Sequence, residues 1–195
     1  VLNKRHIPNL LGLFRIVASP ALVALILIGA VWSDIGAIIV LLLMAISDII
    51  DGRIARRLQV VSPLGIFLDT ISDKIFVAAA LLPMVERALL PAWVAFAIIT
   101  REFAVSGLRS YAAAEGEVIS ARAWGKQKLT LTVMALIWRL VDAAVSQIAD
   151  PPVLLAALGA LASLWPAVLG LALIWTLGSG LEYFWRAWPL LRRSA

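Results

Sequence analysis

The chain contains no cysteine, a single histidine, two tyrosines and only 15% charged residues among 195. Without cysteine there is no disulfide, no thiolate metal site and no thiol redox chemistry. Any metal it holds is therefore held by oxygen, and Mg²⁺ or Mn²⁺ suit that donor better than zinc. His6 stands beside Lys4 and Arg5 and is expected to be an interfacial residue rather than a catalyst. The scarcity of charge falls well short of the roughly 25% usual in a soluble domain. What fills the chain instead is hydrophobic residues, 63% of the total, so an integral membrane protein is expected. Lys and Arg outnumber Asp and Glu by 17 to 12, a net charge of +5. In a membrane chain that excess reports topology and anionic lipid rather than nucleic acid, and no nucleic-acid partner is expected. The sequence begins at Val1, so native residues can precede it. No cleavable signal is expected, because Lys4, Arg5 and His6 lead into a long apolar run without a small-residue cleavage pattern.

A spanning helix needs roughly 20 mostly apolar residues. The polar punctuation then predicts six spans, near 13–31, 35–57, 63–85, 91–113, 125–147 and 166–188, preceded at the last by a short outer apolar segment around 152–163, re-entrant, interfacial or loop. Lys4, Arg5, Arg53, Arg56, Arg57, Arg109, Arg122, Lys126, Lys128, Arg186, Arg192 and Arg193 fall on one side, and Arg87 and Arg139 on the other. The positive-inside rule puts both termini in the cytoplasm. Trp32, Trp93, Trp138 and Trp165 near one face, and Trp124, Trp185 and Trp188 near the other, read as interfacial belts. Residues 1–9 read as an interfacial or basic flanking stretch close to anionic lipid. No soluble domain, low-complexity tract or repeat is evident, and one all-α membrane domain is expected over 1–195.

Within this apolar background, four aspartates fall between positions 48 and 73. A carboxylate facing lipid is costly, so acids within spans face protein or water and default to function. Asp48, Asp51, Gly52 and Ala55 share one helical face at i, i+3, i+4 and i+7, with Arg56 at its edge. Gly65, Asp69 and Asp73 share another at intervals of four. The short linker Gln59–Pro63 suggests that the two helices pack antiparallel with these faces meeting. Four clustered carboxylates repel one another unless cations intervene, and two divalent ions held between them would form the arrangement that clamps phosphoryl oxygens. The small residues leave room for a ligand, and Arg56 can pair with phosphate. The structural alternative is a packing cluster of these acids with Arg56, Arg57 and Lys74. A divalent-cation transporter or channel is the alternative from another functional class, although it has no evident need of Gly52, Ala55, Arg56 and Gly65 on the same faces.

The stretch DIIDGRIARRLQVVSPLGIFLDTISD, residues 48–73, resembles the signature of the CDP-alcohol phosphotransferase family, D-x-x-D-G-x-x-A-R-x8-G-x3-D-x3-D. Asp48, Asp51, Gly52, Ala55, Arg56, Gly65, Asp69 and Asp73 match all its fixed positions. Thr70 and Arg53 depart from residues common in the family, but neither is a fixed position. The resemblance implies a six-helix membrane bundle, a homodimer, two divalent ions on Asp48, Asp51, Asp69 and Asp73, and a CDP-linked lipid bound near the motif. By the same resemblance, Asn9, Gly52, Ala55, Arg56 and Gly65 contact the CDP part, and Asp73 is the catalytic base that takes the proton of an attacking alcohol. The attack expels CMP by in-line displacement.

The flanks HIPNLLGLFRI (6–16), REFAVSGLRSYAAAEG (101–116) and WGKQKLTLTVMAL (124–136) look like the branch of the family that transfers phosphatidyl from CDP-diacylglycerol to sn-glycerol 3-phosphate. Inositol phosphate, serine and phosphatidylglycerol are the other acceptors compatible with such a site. An anionic acceptor requires basic side chains. Arg101 lies mid-span, Arg109 about two turns nearer the cytoplasm, and Lys126 and Lys128 open the fifth span, so these four are candidates for the acceptor phosphate, with Ser106 and Gly107 beside them. The alternative for Arg101 is a buried pair with Glu102, and for the lysines it is topology alone.

Overall fold

The computed structural model describes residues 7–58, 63–117 and 123–193, with the side chains of 7–8, 52–58, 63–64, 66, 123–126 and 193 outside the described set. Among the described residues the chain is all-helical: α1 (Ile7–Ile28), α2 (Val31–Leu58), α3 (Pro63–Glu86), α4 (Ala92–Ala114), α5 (Ala123–Val145), α6 (Val153–Ala162) and α7 (Trp165–Arg193). The six long helices overlap the apolar stretches predicted from the sequence, although α1 starts at Ile7 rather than near 13 and α7 runs on to Arg193 rather than 188, and the short α6 falls on the outer segment expected around 152–163. Three stretches, Asn9–Ile28, Val31–Asp51 and Val153–Arg192, are long and apolar enough to cross a membrane by length and composition. The helices α3, α4 and α5 have similar lengths, 24, 23 and 23 residues.

The helix ends follow local chemistry. Gly29, at φ +71°, stops α1 in the left-handed region open to glycine. Two residues later α2 begins, where the Ala30 N–H donates to Ser33 Oγ at 3.0 Å and satisfies one amide left free by the new helix. At the far end of α4, Gly116 takes φ +77°, and Glu117 N–H reaches back to Ala112 O at 2.9 Å. That return bond closes the last carbonyls of α4.

The packing closes the six long helices into a ring in the order α1–α2–α5–α7–α4–α3 and back to α1, with α6 resting on α5. Leu22 and Ile26 of α1, Leu41 and Met44 of α2, Phe76 and Leu81 of α3, Ile98 of α4, and Leu136 and Leu140 of α5 are buried in a continuous core. The outer surface is also apolar: Val17, Phe96, Ile174 and Leu181 are largely exposed. A soluble protein would bury such a belt, whereas lipid solvates it. Trp32, Trp93, Trp185 and Trp188 are exposed as interfacial anchors would be. Trp138 and Trp165 have inward uses as well. The first donates its indole N–H to Leu161 O at 2.9 Å, tying α5 to α6, and the second stacks beneath Arg139 at 4.8 Å.

One expectation is corrected. The helices α2 and α3 do not pack along each other; α1 lies between them and packs along both, and α2 and α3 touch only sparsely. The reason lies in α1, whose buried Arg15 pairs with aspartates of both helices; at Gly12 a Cβ would make only ordinary contact with α3, 3.6 Å from Leu68 Cβ.

Candidate active site

The acidic faces of α2 and α3 converge on a side chain of α1 that the sequence reading passed over, Arg15. Its guanidinium is fully buried, with relative exposure of 0%, and it reaches all four aspartates. Nη1 lies 2.5 Å from Asp48 Oδ1, and Nη2 lies 2.9 Å from Asp51 Oδ2, 3.2 Å from Asp69 Oδ1 and 3.5 Å from Asp73 Oδ1. Ser72 Oγ accepts from both Nε at 3.2 Å and Nη2 at 2.9 Å. The i, i+3 and i, i+4 spacings therefore do what helical geometry predicts, turning each pair of acids to one side, but toward a common third helix.

The cage has a closed floor and an open rim. Asp51 is 7% exposed at its side chain and Asp48 20%, whereas Asp73 is 40% and Asp69 59% exposed. Access from outside is therefore on the α3 side. Arg15 by itself brings one positive charge to four carboxylates. Carboxylate oxygens from Asp48, Asp51 and Asp69 lie within 4.8 Å of one another. Asp73 Oδ1 is buried without a hydrogen-bond donor. An all-oxygen, all-anionic donor set with an orphaned oxygen fits a hard divalent cation such as Mg²⁺ or Mn²⁺. Asp73 stands outside the three-oxygen group, with its Oδ1 3.5 Å from Arg15 Nη2, the longest of the four contacts.

The packing alternative named Arg56, Arg57 and Lys74 as partners for these acids. Lys74 turns away, donating to Thr70 O at 3.0 Å and standing 6.0 Å over the Phe103 ring. The side chains of Gly52, Ala55, Arg56, Arg57 and Lys126 lie outside the described residues. Asn9 is half-buried near the start of α1, about two turns before Arg15, and Gly65 is half-buried at the start of α3.

A second charged cluster lies on α4 and α5. Arg101 of α4 is buried; its Nε donates to Thr176 O at 3.1 Å, Nη2 to Ser179 Oγ at 2.9 Å and Nη1 to Glu102 Oε1 at 3.1 Å. Gly180 leaves room for its stem, since a Cβ at that position would lie 3.0 Å from Arg101 Cγ. Lys128 of α5 pairs with both oxygens of Glu102. Arg101 thus takes the Glu102 pairing weighed as its structural alternative, and Glu102 joins it to Lys128. Lys128 is also close enough to Asp73 for their charges to interact, which sets the basic cluster beside the carboxylate cage. Arg109 is exposed near the end of α4 and apart from the pair.

Sequence reasoning missed Arg15, Ser72 and Glu102 as site residues. A signal existed for Arg15: a lone arginine in the apolar run of the first span falls under the same rule that singled out Arg101. No comparable pattern marked Ser72, whose role depends on where α1 lies.

A helical ring that gathers carboxylates of α2 and α3 on one arginine of α1, with a charged cluster of α4 and α5 beside them, fits the class of metal-assisted phosphoryl chemistry. The family model described as CDP-alcohol phosphatidyltransferase matches residues 5–176, and the chain belongs to that family. Among its relatives, the CDP-diacylglycerol–glycerol-3-phosphate 3-phosphatidyltransferase of Bacillus subtilis (strain 168) is 33% identical over 97% of this chain and 98% of its own length. Proteins of the same name from Pseudomonas fluorescens and Escherichia coli (strain K12) are 33% and 36% identical, covering 96% and 69% of this chain and 92% and 76% of theirs.

Proposed function

We propose that this protein transfers the phosphatidyl group of CDP-diacylglycerol to sn-glycerol 3-phosphate, releasing CMP and phosphatidylglycerophosphate. The observation that carries the reaction class is the gathering of Asp48, Asp51, Asp69 and Asp73 around one point, the Arg15 guanidinium. The acceptor is supported by the names of relatives that match along nearly the whole chain.

In this reading Asp48, Asp51, Asp69 and Asp73 hold two Mg²⁺ or Mn²⁺ ions, which when bound neutralise the diphosphate and the charge developing on departing CMP. Asn9, Gly52, Ala55, Arg56 and Gly65 form the CDP side of the site, where glycine and alanine leave space and Arg56 offers a fork to phosphate. Asp73, at the exposed rim, accepts the proton from the glycerol phosphate hydroxyl as its oxygen bonds to phosphorus and the bond from phosphorus to the CMP oxygen breaks. Direct displacement needs no nucleophilic side chain. Lys128, with Arg101, Arg109 and Lys126 on the same side, holds the acceptor phosphate; its proximity to Asp73 supports that placement.

The same reading gives six spans formed by α1–α5 and α7, both termini in the cytoplasm, and a site on the cytoplasmic face of the inner membrane. The clustering of basic residues toward one side of the predicted topology supports it. The protein works as a homodimer in this reading.

The test is CMP release by purified protein in lipid-containing micelles with CDP-diacylglycerol and Mg²⁺ or Mn²⁺, offering glycerol 3-phosphate, inositol phosphate or serine in parallel, each with and without EDTA. Release with glycerol 3-phosphate alone, abolished by EDTA, is expected. Release with another acceptor keeps the family and changes the substrate; silence with all of them from folded protein overturns the proposal.

A further inference from the structure

We propose that Arg15 is an internal counter-ion that occupies the carboxylate cage in the metal-free protein and must release it for divalent ions to bind. The inference rests on the reading of the four aspartates as the metal cage, and it concerns how this chain keeps that cage assembled and how it is filled.

Each aspartate places a carboxylate oxygen within 3.5 Å of an Arg15 Nη atom. A magnesium ion ligated by the same oxygens would sit about 2.1 Å from them. A divalent ion and a guanidinium cannot share those oxygens at these distances without strong mutual repulsion. The two cations are therefore competitors. Each state has a reason to exist: without Arg15, the metal-free cage would lose the cation that all four carboxylates share, and without the cage Arg15 would be a buried charge stripped of its carboxylates.

The geometry also shows what remains when Arg15 lets go. Nε is bonded to Ser72 Oγ, a neutral acceptor on α3 that needs no carboxylate. A guanidinium turning about that anchor keeps one partner and frees its Nη groups. The open side of the cage is the Asp69–Asp73 rim, the side from which a diphosphate arrives. An incoming diphosphate offers the freed Nη groups new anionic acceptors, so metal and nucleotide strengthen each other's binding through Arg15.

The experiment is Mn²⁺ binding, followed by the electron paramagnetic resonance signal of free Mn²⁺, to purified wild type, Arg15→Gln and Arg15→Lys in lipid micelles, each with and without CDP. Arg15→Gln is expected to bind Mn²⁺ about tenfold more tightly than wild type, because a competing charge is gone. CDP is expected to tighten Mn²⁺ binding in wild type and to do so much less in Arg15→Gln. Asp51→Asn, with the cage itself damaged, should bind Mn²⁺ weakly in every condition. Unchanged or weaker Mn²⁺ binding by folded Arg15→Gln overturns the proposal while leaving the metal site standing. If that variant does not fold, Arg15→Lys decides: it keeps a charge but loses the fork that spans the carboxylates, so Mn²⁺ binding about threefold tighter than wild type supports competition, and equal or weaker binding refutes it. Absence of Mn²⁺ binding in wild type removes this proposal together with the metal cage. CMP release by the same preparation reports separately on the transferase reading.

Discussion

Replacing Asp73 by asparagine separates two things that the cage does, because asparagine has the same shape but cannot take a proton at neutral pH. Asp73 lies outside the group formed by Asp48, Asp51 and Asp69, whose oxygens are within 4.8 Å of one another. Its own Oδ1 accepts no hydrogen bond and stands 3.5 Å from Arg15 Nη2, the longest of the four contacts. Metal binding should thus depend least on Asp73, and Mn²⁺ affinity should fall by only about a few-fold, the loss of one weak electrostatic contact. Loss of a general base costs roughly 10²–10⁴ in rate, which is about 3–5 kcal/mol at 1.36 kcal/mol for each tenfold step. The expected result is a fall in kcat of that size, with KM for CDP-diacylglycerol nearly unchanged and Mn²⁺ still bound. Single-turnover CMP release and Mn²⁺ titration on one preparation measure both. Turnover within about tenfold of wild type would refute the assignment of Asp73 as base, and loss of Mn²⁺ binding would make it chiefly a ligand.

Lys128→Ala should raise KM for glycerol 3-phosphate by about 10–100-fold, the worth of one hydrogen bond to a charged group, while leaving KM for CDP-diacylglycerol unchanged; an unchanged acceptor KM in steady-state assays tells against the pocket. Far from the cage, Asp34 is fully buried and paired with Arg87, and it accepts from Gln147 Nε2 at 3.0 Å. Asp34→Ala leaves Arg87 without its carboxylate and should cost about 3–5 kcal/mol, read as a lower Tm in micelles, with CMP release retained at low temperature. Gly29→Ala puts a Cβ at φ +71°, 3.2 Å from Arg87 Nε, and should cost about 1–2 kcal/mol; an unchanged Tm there would mean that the α1–α2 connection relaxes freely.

The sequence by itself determined the class of molecule and the chemical character of its site. Apolar runs interrupted by Ser-Pro and Asp-Pro-Pro marked where helices begin, whereas the break expected at Trp32-Ser33-Asp34 falls at Gly29-Ala30 and leaves Ser33 and Asp34 in the first turn of α2. Spacings of three and four then put Asp48 with Asp51 and Asp69 with Asp73, since one turn of helix is about 3.6 residues. Neither rule says which helices become neighbours. Only the tertiary structure decided that α1 stands between α2 and α3, and with that choice Arg15 and Ser72 entered the site. The Glu102 link between Arg101 and Lys128 was undecided for the same reason, because it joins α4 to α5 over a separation that local pattern does not span. Periodicity is a property of one helix and is written in its residues, whereas the partner of a buried charge is set by which faces the whole ring brings together.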